Sequence, residues 1–311
     1  ESKVAMEEDE KENKKRKRSD EDEVHAAIRD FNTAYPFHVV QGDMKDVSGN
    51  PLLAPLQALN EGRKGTGPAK VHVAIMSPPW GVLPTQDQEE SQEVLKYDTP
   101  LQYSQLRVAM RYVSEVMADN GVIALHIPAL QFASYVEVLQ TLKWIPLHRE
   151  ICVVYSQGSS ARKGFAQGAV FPEKAHEAFF VFRREKCSSK GFVGGSSVIS
   201  AGPFNIAKEG YHLQNEGRDW FRKNQLQVSV VRAMIKHLLD FTKLATEPLH
   251  APFPIVCDPF VGSGTALIAA FQLGCDFVGC DIDPDVVKVC RDRFNTEHTK
   301  NSGLTIATKV Q

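Results

Sequence analysis

Residues 255–266 read Ile255-Val256-Cys257-Asp258-Pro259-Phe260-Val261-Gly262-Ser263-Gly264-Thr265-Ala266, and this stretch decides the fold. Its apolar start predicts a short strand, Ile255–Asp258, buried on both faces. A Gly-x-Gly turn follows, and the alanine-rich run after it predicts a helix over Gly264–Leu273. The two glycines let the backbone pass close beneath a ligand, and the helix N-terminus presents unbonded amides. A strand at Phe277–Asp281 and a helix at Pro284–Phe294 come next. Strands alternating with helices build a parallel sheet.

The same stretch constrains the ligand. Asp281 ends the next strand, 23 residues after Asp258, where an acid is placed to accept hydrogen bonds from ribose hydroxyls. A dinucleotide fingerprint needs a third small residue, and here Leu267 occupies that position. Asp258 is also a poor neighbour for a pyrophosphate and a good one for a cation. S-adenosylmethionine meets these conditions, with an ammonium, a sulfonium, a ribose and no phosphate. A nicotinamide dinucleotide and a ligand-free tight turn are the alternatives.

Outward from this unit the alternation continues. A helix is predicted over Val24–Ala34, then strands at Pro36–Gly42 and Val71–Met76. Helical periodicity over Leu101–Met117 is closed by Asn120-Gly121 before a strand at Val122–His126. A helix at Gln131–Leu142 precedes strands at Ile151–Tyr155 and Ala178–Arg183, and a further helix covers Val228–Phe241. Residues 156–174 and 185–223 are rich in Gly, Ser and Lys/Arg and read as loops, so 156–223 forms a small loop-rich insertion. The fold class is therefore α/β, a mostly parallel, doubly wound, Rossmann-like sheet.

A second constellation, Ser77-Pro78-Pro79-Trp80, directly follows the apolar strand Val71–Met76. In doubly wound sheets ligands sit beyond the carboxyl ends of strands, where this tetrapeptide falls. Two prolines fix φ and remove two backbone donors, leaving rigid carbonyls. A serine hydroxyl and a proline carbonyl can accept hydrogen bonds from an exocyclic amine, and Trp80 can stack on a base. A structural Pro-Pro turn with a core tryptophan is the alternative.

Taken together, SPPW followed by DPFVGSGT resembles the β-class amino-methyltransferases, which methylate cytosine N4 or adenine N6 in DNA. Smaller pieces are similar to that family: Gln41-Gly42-Asp43, Asn120-Gly121-Val122-Ile123, the strand opening at His176-Glu177, Gln225 before the helix at Val228, and Gly279-Cys280-Asp281-Ile282-Asp283. The resemblance spans roughly residues 37–295. One departure is that the family's His-Pro-Thr-Gln-Lys-Pro stretch reads here Arg222-Lys223-Asn224-Gln225-Leu226-Gln227.

The resemblance implies a class I methyltransferase domain over 24–311, with 156–223 as its target-recognition insertion. It implies S-adenosylmethionine as cofactor, held by Asp43, Gln225, Asp258, Phe260, Gly262, Ser263, Gly264, Thr265, Asp281 and Ile282. Ser77, Pro78, Pro79 and Trp80 would act on the amine, with no metal. Serine at the first position is the family's usual mark for cytosine N4, whereas Trp80 resembles some adenine-modifying relatives; cytosine is favoured. Arg162 and Lys163 beside Phe165, and Arg218, Arg222 and Lys223 around Trp220-Phe221, mix bases with aromatics as strand-binding surfaces do; solvated loops are the alternative. DNA is favoured over RNA as partner, and a partner subunit would supply further target recognition. A binding-only subunit is the non-enzyme reading. Protein-glutamine methylation is disfavoured because its Asn-Pro-Pro-Tyr tetrapeptide follows the glycine turn.

Composition sets outer bounds. Of 311 residues 42% are hydrophobic and 24% charged, enough to build a buried core. Formal net charge is −2, which excludes a strongly basic nucleic-acid binder but not a local basic groove. Residues 1–23 carry 7 Lys/Arg against 10 Asp/Glu and read as a disordered leader. Its run Lys14-Lys15-Arg16-Lys17-Arg18 reads as a nuclear-import signal, a phosphate-binding arm or a solvated tail. The chain opens on Glu1 rather than Met, the expectation for a processed or truncated product, with no signal-peptide core. No window is apolar enough for a membrane helix. Six cysteines never fall into a CxxC spacing, as expected for reduced thiols in an intracellular protein.

Overall fold

The computed structural model describes residues 37–62, 69–79, 101–147, 151–155, 176–186, 198–201, 226–241 and 254–302. Nine strands among them form one sheet: β1 (Phe37–Gln41), β2 (Val71–Met76), β3 (Met117–Leu125), β4 (Trp144–Pro146), β5 (Ile151–Tyr155), β6 (His176–Arg184), β7 (Val198–Ala201), β8 (Ile255–Asp258) and β9 (Asp276–Asp281). Their order is β1-β9-β8-β2-β3-β6-β5-β7, with β4 paired to β6 beside this path. Only β6 runs against its neighbours β3, β4 and β5. The remaining pairings are parallel, so the mostly parallel α/β sheet expected from the alternation is present.

Six α-helices among the described residues cover it: α1 (Leu53–Gly62), α2 (Tyr103–Val116), α3 (Phe132–Thr141), α4 (Val228–Phe241), α5 (Thr265–Gln272) and α6 (Pro284–Ser302). Alternate strand residues feed two separate cores. Val73, Ile75, Val122 and Ala124 pack with Met234 and Leu238 of α4, Leu267 of α5 and Cys290 of α6. Ala74, Met76, Ile123 and Leu125 pack with Leu56 of α1, Met110 of α2 and Leu139 of α3. Each fully buried valine, isoleucine, leucine or methionine among them contributes about 2 kcal/mol relative to exposure. Burial from both sides explains why these strands read as continuous apolar runs.

Two local expectations are corrected, and one helix is added. Asn120-Gly121 does not separate a helix from a strand: it lies inside β3, whose register against β2 jumps from Val71↔Met117 to Val73↔Val122. The extra residues bulge out, and a Cβ on Gly121 would stand 2.7 Å from the Met117 side chain and 3.0 Å from the Val71 carbonyl. Residues 185–223 are not loop throughout, because Val198–Ala201 forms β7 parallel to β5. Helix α1 was not anticipated: its Pro55 reads as a breaker but falls in the first turn, where no amide is needed. The Asn50 side chain caps this turn by accepting from the Leu52 amide at 3.0 Å.

The leader 1–23 with Lys14–Arg18, and the helix expected at Val24–Ala34, lie outside the described residues.

Candidate active site

Strands β2 and β8 are parallel neighbours, with Val73 opposite Val256 and Ala74 opposite Cys257. The chain leaves β8 through α5 to β9 on one side, and leaves β2 through α2 to β3 on the other. This is a topological switch point, where ligands bind beyond the strands' carboxyl ends. Extending the register sets Asp258 beside Ile75, so Ser77-Pro78-Pro79 and the glycine turn emerge side by side, although 181 residues separate Ser77 from Asp258.

The turn is held open by its backbone. Gly262 and Gly264 have φ of +50° and +78°, a region that costs residues with a Cβ about 1 kcal/mol or more. The Gly264 amide donates to the Val261 carbonyl at 2.9 Å, and the Val261 amide to the Cys280 carbonyl at 3.1 Å. Beneath the turn the buried Arg293 of α6 donates to the Ser263 carbonyl at 2.8 Å and to Thr265 Oγ1 at 3.3 Å. Ser263 Oγ and Thr265 Oγ1 lie 3.2 Å apart. Both of these predicted residues therefore face inward and brace the turn.

Two carboxylates flank it. Asp258 Oδ1 accepts from the Phe260 amide at 3.0 Å. Asp281 accepts from the Gly262 amide at 2.9 Å and from the Asp283 amide at 3.1 Å. Burial pushes the Asp258 carboxyl up to about 7; the Phe260 amide opposes this and the neighbouring Asp281 charge adds to it. Burial raises Asp281 as well, against its backbone donors and helped by Asp283. Among the described residues neither forms an ion pair. Two crowded carboxylates without a basic partner favour a cationic ligand, which would restore their ionised forms. The two oxygens of Asp281 have about four acceptor sites between them, more than these amides occupy, which leaves room to accept from a hydroxyl.

The other predicted cofactor residues surround this centre. Asp43 follows β1, where the Gly42 amide donates to the Asp281 carbonyl at 2.8 Å, and its carboxylate accepts from the Lys45 amide at 2.8 Å. The Ile282 carbonyl accepts from Gln41 Nε2 at 3.4 Å. Phe260 packs partly buried on the core beneath α1–α3. Gln225 lies outside the described residues, as do Trp80, Arg162, Lys163, Arg218, Arg222 and Lys223.

Of the tetrapeptide, Ser77 and Pro79 are half-buried and Pro78 is buried. Ser77 Oγ lies 3.3 Å from Nδ1 of His126, the residue after β3. The His126 amide donates to the Met76 carbonyl at 2.9 Å, fixing its backbone beside the serine. Neither His126 nor Arg293 was anticipated as part of the site. His126 carried one usable signal, a polar residue closing the apolar run Val122–Leu125 at a strand's carboxyl end. Arg293 carried none, standing among the other charges of α6.

A family model described as DNA methylase matches residues 228–292, from α4 into α6. Over 46 residues, 15% of this chain, the sequence is 41% identical to the type II methyltransferase M2.DpnII of Streptococcus pneumoniae. The chain spans 17% of that relative's length. Among solved structures, the M1.HpyAVI–SAM complex aligns with a TM-score of 0.49 and 13% identity, over 84% of this chain and 100% of that one. PvuII DNA methyltransferase, described as cytosine-N4-specific, aligns with a TM-score of 0.48 and 11% identity, over 87% and 93%.

Proposed function

We propose that this chain is an S-adenosylmethionine-dependent amino-methyltransferase of the DNA N6/N4 family, acting on the exocyclic amine of a nucleobase. The observation that carries the reading is the convergence of Ser77-Pro78-Pro79 and the Asp258–Thr265 turn at neighbouring strand ends, beside the buried Asp258 and the partly buried Asp281, which form no ion pair among the described residues. The partial family match over 228–292 covers the strand, turn and acid of the cofactor half.

The residues present fit the cofactor. Asp281 would accept the ribose hydroxyls, Asp258 would face the cationic end, and Gly262 and Gly264 would allow close approach of the backbone. When bound, S-adenosylmethionine supplies a methyl group already activated on a sulfonium. The chain's own contribution is alignment: Ser77 Oγ and the Pro79 carbonyl accept from the amine, so its nitrogen lone pair turns out of conjugation with the ring. Fixing that orientation supplies most of the rate.

Cytosine N4 is the favoured base, because the first side chain of the tetrapeptide is a hydroxyl, which accepts from the amine while donating elsewhere. Incubation with radiolabelled S-adenosylmethionine and DNA or RNA, followed by nucleoside mass spectrometry, tests the reading. Label on 4-methylcytosine in DNA is expected. Label on 6-methyladenine overturns the base, and label only in RNA overturns the substrate. An unlabelled product set with no cofactor binding overturns the enzyme.

DNA contact is assigned to the basic segments at 162–163 and 218–223, with a partner subunit extending target recognition. Nuclear entry through Lys14–Arg18 belongs to the same proposal.

A further inference from the structure

The Ser77 hydroxyl has two sides, and only one is free for a substrate. Its oxygen sits 3.3 Å from His126 Nδ1. The imidazole cannot swing away easily. His126 is 5% exposed, its amide is bonded to the Met76 carbonyl, and its ring centroid lies 5.3 Å from that of the fully buried Phe179 on β6. The partner is therefore held by three strands, β2, β3 and β6, rather than by a loop.

A hydroxyl carries one hydrogen and two lone pairs. If the hydrogen points to the amine, serine is a donor and repels the amine's own hydrogens. If the hydrogen is taken up elsewhere, both lone pairs remain for the amine to donate into. The only nitrogen near enough to take it here, among the described residues, is Nδ1 of His126.

We propose that His126 is a positioning residue. Its unprotonated Nδ1 accepts the Ser77 hydroxyl hydrogen, Nε2 carries the ring proton, and the serine oxygen is thereby fixed as an acceptor toward the target amine. His126 touches neither the amine nor the methyl group and takes no proton in the reaction. This rests on the amine-methylation reading for its role, while the hydrogen bond itself stands apart from it.

The test has two arms, both on the full chain. In the first, 15N-histidine-labelled protein is compared with its Ser77→Ala variant without added substrate. An unprotonated Nδ1 resonance that moves in Ser77→Ala is expected. A protonated Nδ1, or a resonance indifferent to Ser77→Ala, overturns the proposal. This arm needs no turnover, so it decides the hydrogen bond even for a chain on which no methylation is found.

In the second arm, His126→Leu and His126→Asn are compared by methyl transfer and by cofactor calorimetry. Asparagine can place its amide oxygen, an acceptor that does not titrate, near the Nδ1 position. His126→Leu is expected to lower kcat about 10- to 100-fold with cofactor Kd within about two-fold of wild type, and His126→Asn to restore most of kcat. Equal kcat in His126→Leu, or no rescue by asparagine in a folded variant, overturns the proposal.

Discussion

Asp281 Oδ2 accepts the Gly262 amide at 2.9 Å, tying the end of β9 to the turn that follows β8. One carboxylate thus fixes the glycine turn and, in the proposed function, the ribose. Asp281→Ala removes both, and Asp281→Asn keeps one acceptor while losing the charge. We expect cofactor Kd to weaken about 10- to 100-fold in Asp281→Ala, the range for losing hydrogen bonds to a charged acceptor, about 1.5–3 kcal/mol. The asparagine variant should lie between it and wild type. Calorimetry on both variants checks the order, and equal affinity across the three would detach Asp281 from binding.

Ser77→Ala removes one of the two acceptors for the amine but nothing the cofactor touches. Methyl transfer should fall by about 100-fold or more while cofactor affinity stays unchanged. Single-turnover assays beside calorimetry separate the two. Full activity in this variant would take Ser77 out of the chemistry.

Asp258 links binding and stability to pH in opposite directions. Its carboxyl, raised to about 7 by burial, keeps its proton in the free fold where an unfolded chain would have lost it. The native state therefore binds more protons between about 4 and 7, and this contribution, about 4 kcal/mol at most, is present below the ordinary aspartate range and lost as pH rises through 7. Thermal melts without cofactor should show this fall, and Asp258→Asn should flatten it. A cationic cofactor prefers the ionised form, so its affinity should rise from pH 6 to 8 in wild type and lose that slope in Asp258→Asn.

Gly264 sets a steric test of the turn. A Cβ there would lie 2.6 Å from Cys290 Sγ on a backbone with φ of +78°. Gly264→Ala should destabilise by about 1–3 kcal/mol. Adding Cys290→Ala removes the clash but not the backbone strain, so chemical denaturation of the double variant should recover only part of the loss.

The parallel sheet and the location of both motifs were legible because burial on two faces leaves nearly unbroken apolar runs: Val71–Met76 is interrupted only by His72, and Ile255–Cys257 leads directly to Asp258. The Gly-x-Gly turn was legible for the same local reason, since positive φ selects glycine. Helix α1 was obscured by Pro55, whose meaning depends on where the helix begins. The β3 bulge at Asn120-Gly121 was obscured because a turn inside a strand has the composition of a turn between elements. His126 showed only as a polar residue closing an apolar run, and Arg293 not at all, for another reason. Their roles come from partners 49 and 30 residues away, Ser77 and Ser263, and no local pattern announces such pairings.

The central adjacency of β2 and β8 has a cost during synthesis. Strand β2 leaves the ribosome with one edge reserved for a partner that is encoded 181 residues downstream of Ser77. At ordinary elongation rates that interval is about 10–40 s. Throughout it the apolar ladder Val71–Met76 offers unpaired amides and carbonyls to any passing strand. The arrangement that brings the two motifs together thus leaves an open apolar strand edge at the functional centre until β8 has been made.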